Sequence, residues 1–85
     1  MSESKTHKIT LYNDDELSFQ YIIACLIEIC GHTPTQAEQC AILAHNRGHI
    51  DVASGSFDKM YEILETLDHV NIEASIEQYE SNLYR

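Results

Sequence analysis

KITLYNDDELSFQYIIACLIEIC, residues Lys8 to Cys30, changes its hydrophobic period halfway along, and that change decides the fold. Lys8-Ile9-Thr10-Leu11-Tyr12 alternates, with Ile9 and Leu11 on one face, which is the period-two pattern of a half-buried strand. Asn13-Asp14-Asp15 then supplies turn residues, whose side chains bond nearby backbone. From Ser18 onward Phe19, Ile22, Ile23, Leu26 and Cys30 recur at i, i+3 and i+4, so an amphipathic helix follows and ends at Gly31. A strand feeding a helix through a short acidic turn is the first unit of the domain.

The rest of the chain adds four elements. Thr33-Pro34-Thr35-Gln36 places Thr at an N-cap, Pro at the first helical position and Gln at the third, a capping box that opens a second helix. Its inner face holds Ala37, Cys40, Ala41 and Ala44, small enough for close approach of the first helix, and Gly48 is placed for a left-handed cap. His49 to Ala53 alternates as a short strand. Ser56 caps a third helix with the stripe Met60, Ile63, Leu64 and Leu67. Val70, Ile72, Ala74 and Ile76 alternate and predict a final strand. The order βααβαβ makes a two-layer α+β domain, three strands with three helices on one face. Residues 1–7 read as a flexible lead, 8–77 as the domain and 78–85 as a polar tail.

Composition bounds the function. Eighty-five residues allow one small core, and 44% hydrophobic residues are enough to pack it. Fourteen carboxylates against five Lys and Arg give a net charge of −9, which excludes phosphate-neutralising nucleic-acid binding and docking on an anionic membrane. No apolar run approaches the ~20 residues that span a bilayer, and the first residues lack a secretory pattern. Cys25, Cys30 and Cys40 cannot all pair internally, so free thiols in a reducing cytoplasm are expected. Isolated Gly31, Gly48 and Gly55 form no phosphate loop. Cys25 and Cys30, five apart on a helix, point about 140° away from each other, and no zinc-ligand spacing appears. The chain therefore reads as neither an enzyme nor a metal or cofactor carrier.

The strand followed by Asn13-Asp14-Asp15, the apolar helix, and Ala44-His45-Asn46-Arg47-Gly48 closing the second helix resemble the ClpS family. Its members are adaptors that bring substrates bearing N-degrons to an AAA+ Clp chaperone and its protease. The resemblance runs from about Lys8 to Glu77 and implies three antiparallel strands against three helices. It also implies that Asn13, Asp14 and His45 hold the substrate's free α-amino group. Leu11, Phe19, Ile22, Ala41, Ala44 and Ile72 would wall the pocket for the first side chain, with Leu17 at its rim. Glu16 and Asp58 would face the chaperone. Substrates would begin with Leu, Phe, Tyr or Trp, and the adaptor would act as a monomer. Phe19 stands where many members have Met, and Ala41 and Ala44 where larger residues are common. The alternative is an interaction domain of the same topology, like the C-terminal domain of the ribosomal stalk protein, which docks partners through a helix face and needs no pocket.

Overall fold

The computed structural model describes residues 5–79. Strand β1 runs His7–Tyr12, helix α1 Phe19–Cys30, helix α2 Pro34–Arg47, strand β2 His49–Gly55, helix α3 Phe57–His69 and strand β3 Ala74–Gln78. The sheet order is β2-β1-β3, with β1 antiparallel to both neighbours. Ile9 and Leu11 of this central strand are fully buried and pack with Ile22 and Leu26 of α1, Ala41 and Ala44 of α2, and Met60 and Leu67 of α3. Burying such side chains is worth about 1.5–3 kcal/mol each, so this shared core is what holds the two layers together.

The helix boundaries follow from local chemistry. The Ser18 hydroxyl accepts from the Tyr21 N–H and starts α1. Thr33 and Gln36 satisfy each other's backbone N–H groups in the capping box expected from the sequence. Ser56 caps α3 through the Lys59 N–H. Gly31 and Gly48 end α1 and α2 in the left-handed region, at φ 74° and 92°.

Three features were not legible in the pattern. The pairing of β1 with β2 shifts between Ile9 and Thr10, since Ile9 faces Ala53 while Thr10 faces Asp51, and Val52 is the extra residue of a bulge. The Val52 carbonyl accepts a 2.7 Å hydrogen bond from His32 Nε2, which ties the α1–α2 connection to the bulge. A carbonyl can only accept, so Nε2 carries the ring proton, and Nδ1 is buried with no partner among the described residues. The bulge also aims Asp51 at the sheet face away from the helices, where it accepts from Thr10 Oγ1 at 3.0 Å and Lys8 Nζ at 3.1 Å. This pairing raises the Lys8 pKa and keeps Thr10 covered.

The final strand is shorter than the alternation implied. Val70 caps α3, Asn71 turns through φ 65°, and the Ile72 N–H returns to the Leu67 carbonyl, so pairing begins only at Ala74. Ile72 is buried from a turn, which its period-two spacing could not distinguish from a strand. Strand β1 takes in His7, and β3 reaches Gln78. The rest of the expected lead and tail, residues 1–4 and 80–85, lies outside the described residues.

Gly48 isolates one backbone effect. A Cβ built there meets nothing within 4 Å, so Gly48→Ala should be costly only through its left-handed conformation. The expected loss is about 1–2 kcal/mol, read from the urea unfolding midpoint; an unchanged midpoint would mean that α2 can end without the left-handed turn.

Candidate functional site

The end of β1 is where the chemistry-bearing residues gather. The Tyr12 N–H bonds the Glu73 carbonyl at 3.0 Å, and the next residue, Asn13, gives its N–H to the Gly48 carbonyl at 2.9 Å. Those two bonds seat the Asn13–Asp15 loop between the start of β3 and the C-terminal end of α2. Within the loop, Asp14 Oδ1 accepts from the Glu16 N–H at 2.9 Å, and the Leu17 N–H bonds the Asp14 carbonyl at 3.1 Å. Asn13 Nδ2 donates to Asp15 Oδ1 at 2.9 Å. The turn thus uses one oxygen of Asp14 and the amide nitrogen of Asn13. Asp14 Oδ2 and Asn13 Oδ1 take no part in these bonds, so each half-buried side chain keeps an acceptor.

His45, in the last turn of α2, is exposed, and its ring meets the Phe19 ring edge-on at 5.6 Å and 79°. Phe19 opens α1 and is 39% exposed. The loop and the start of α1 therefore both touch the end of α2. Among the described residues no hydrogen bond joins the His45 ring to Asn13 or Asp14. The remaining residues expected in the pocket are less open than the sequence implied. Leu11, Ile22, Ala41, Ala44 and Ile72 are all core residues, and Leu17 packs partly buried against them. Ala41 and Ala44 are almost fully buried at 2% and 1% exposure, on the face of α2 that packs on α1. Among these wall residues, Ile72 alone borders one of the larger grooves, about 390 Å³ between α3 and β3. Glu16 and Asp58 are exposed, and Asp58 sits in the first turn of α3, where the helix dipole favours a carboxylate.

The thiols point away from nucleophilic chemistry. Burial raises all three; Cys30, with Cys40 and Cys25 also nearby, is pushed up to about 11. Cys25 is buried, while Cys30 and Cys40 are half-buried, and all three are free. Among the described residues no three His, Cys, Asp or Glu are grouped to hold a metal ion, and no helix is long and apolar enough to cross a membrane. Sequence reading missed the exposed rings of Phe57 and Tyr61, which stack at 5.7 Å. Their i, i+4 spacing outside the Met60-Ile63-Leu64-Leu67 stripe was the available signal.

A short sheet under three helices, with a polar loop seated against a helix end, defines a small α+β domain. The same fold is seen in Agrobacterium tumefaciens ClpS2, solved bound to L-phenylalaninamide, with a TM-score of 0.74 over 88% of this chain and 98% of that one, at 18% identity. The family model for the ATP-dependent Clp protease adaptor protein ClpS matches residues 2–77. The chain belongs to the ClpS family, a family of adaptors and not of known enzymes. Comparison with curated protein sequences finds no match.

The raised thiol gives a direct check. At pH 8 a Cys30 with pKa about 11 is almost wholly protonated, so iodoacetamide should alkylate it roughly a hundredfold more slowly than an unperturbed cysteine. Site-resolved mass spectrometry should show that protection in the native protein and its loss in denaturant; equal native and denatured rates would contradict it.

Proposed function

We propose that this chain captures polypeptides by their first residue and carries them to a Clp AAA+ chaperone in the cytoplasm. Asn13, Asp14 and His45 hold the α-ammonium, while the first side chain, Leu, Phe, Tyr or Trp, enters beside Phe19. Leu11, Ile22, Ala41, Ala44 and Ile72 wall the space, with Leu17 at its rim, and Glu16 and Asp58 face the chaperone. The observation that carries this reading is the seating of the Asn13–Asp15 loop on Gly48, with two acceptor oxygens left over and the His45 ring on the same helix end.

An ammonium has three donors and a positive charge. Asp14 Oδ2 supplies the countercharge, Asn13 Oδ1 a neutral acceptor, and a neutral His45 ring nitrogen a third. Burying one Leu or Phe side chain is worth about 1.5–3 kcal/mol, whereas a micromolar complex needs about 8 kcal/mol. The charge-assisted bonds must supply much of the difference, since they are about twice as strong as neutral ones. An internal residue offers no ammonium and would leave those acceptors unpaired, so selection for the first residue follows from the same arithmetic. The side chain needs room beside walls that are buried in this structure. Phe19 provides it by leaving His45, at a cost near the about 0.5–1.5 kcal/mol of an aromatic pair.

Two measurements test the reading. A peptide beginning with Leu or Phe should bind in fluorescence anisotropy, and its N-acetylated twin should not; equal binding would discard recognition of the amine. Asp14→Asn keeps an oxygen for the Glu16 N–H but removes the charge. It should weaken the free-amine peptide by about 1.5–3 kcal/mol, more than tenfold, at an unchanged unfolding midpoint. Unaltered affinity would return Asp14 to a purely structural part in the turn.

A further inference from the structure

The groove between α3 and β3 lies outside the assigned machinery except at Ile72. We propose that it docks an extended peptide segment carrying arginine next to an apolar anchor residue. The floor is apolar, with Leu64 and Ile72, and the rim carries Glu65, Asp68 and Glu73. His69 lines it as well. None of the three carboxylates is ion-paired among the described residues, while Lys8 is engaged with Asp51 and Glu77 on the sheet face away from the helices. With a net charge of −9 the chain has little cation of its own to offer.

The position of the charge adds a second argument. Asp68 stands in the last turn of α3, at the negative end of the helix dipole, with Glu73 just beyond. Carboxylates there oppose the dipole, and a bound cation relieves that opposition. A metal ion is not the complement, because among the described residues no three acidic or imidazole groups are close enough to ligate one. The charge to be matched is spread along a surface.

The aromatic strip identifies the cation. Tyr61, on the groove wall, stacks on Phe57 at 5.7 Å and 24°, and the His7 ring meets Phe57 edge-on at 5.1 Å. Phe57 and Tyr61 remain 47% and 45% exposed, an aromatic surface left open by the described residues. Glu65 lies beside the Tyr61 hydroxyl. A ring face next to a carboxylate suits a guanidinium, which is planar, stacks on aromatic rings and forks to two oxygens, better than it suits the compact lysine ammonium. The strip runs on from the groove, so the occupant is elongated.

The test uses a peptide without a free amine, so that recognition of first residues plays no part. The probe is acetyl-Gly-Leu-Arg-Gly-Arg-Gly-amide carrying a fluorophore at its C-terminal end, read by anisotropy against the full chain. Saturable binding that weakens with added salt is expected, together with about a tenfold or greater loss for Asp68→Asn/Glu73→Gln and for Tyr61→Leu. Glu28→Gln/Glu38→Gln, which neutralises α1 and α2 instead, should leave affinity unchanged, with circular dichroism reporting the fold of every variant. The proposal is overturned by absent binding, by equal binding of a probe with Glu in place of Arg, or by equal losses from the α1/α2 variant. Either result leaves the free-amine experiment to stand or fall by itself.

Discussion

The 2.9 Å bond from the Asn13 N–H to the Gly48 carbonyl is the constraint on which the polar end of the molecule depends. It needs β1 to stop at Tyr12 and α2 to stop in a left-handed turn at φ 92°. Each condition has a local cause. Asn13-Asp14-Asp15 ends the strand by bonding its own backbone, and Gly48 takes a conformation that costs a side chain about 1–2 kcal/mol. Once both hold, the loop cannot drift from the helix end, and His45 is fixed three residues upstream. The same loop could otherwise have been an ordinary solvated turn.

A central strand explains why so small a domain can hold this arrangement. Strand β1 pairs on both edges, and its inward residues Ile9 and Leu11 belong to one core with side chains from all three helices. The alanines of α2 do the complementary work. Ala37, Ala41 and Ala44 are buried and let α1 approach closely, with nothing bulky to hold the helices apart. Among the described residues the outer sheet face has no such layer. There the bulge turns Asp51 toward Thr10 and Lys8, giving Thr10 a partner in place of water. Exposed ion pairs of this kind contribute at most about 1 kcal/mol, so the network covers the strand more than it stabilises the fold.

How much could be read beforehand depended on whether the signal was local. Capping hydroxyls, the Thr33–Gln36 box and the two left-handed glycines are chemistry within four residues; all three helices began, and α1 and α2 ended, where they placed them. The bulge at Val52 and its bond to His32 join residues 20 apart, and nothing in the alternation of His49 to Ala53 marks an extra residue. Val70 to Ile76 misled for a related reason: a helix end plus a left-handed Asn71 buries Ile72 just as a strand would. The candidate site divides along the same line. The loop and helix end were legible as a turn and a cap. How Ala41 and Ala44 pack against α1 is a property of the whole core, and both are buried in it.

Burial of the wall residues is compatible with capture of first residues, and the magnitudes say why. If opening costs no more than the Phe19–His45 ring contact, about 0.5–1.5 kcal/mol, the competent state holds roughly a tenth of the population or more, and apparent affinity falls by about tenfold at most. A complex drawing on several charge-assisted bonds can bear that loss. The cost does not fall on every guest alike. A flat or flexible side chain can replace the ring that left and meet the His45 edge in its stead, whereas a small one leaves the vacated volume empty and recovers nothing. A ring resting on the helix end would therefore raise the threshold for entry, turning a stabilising contact of the resting domain into a filter on size.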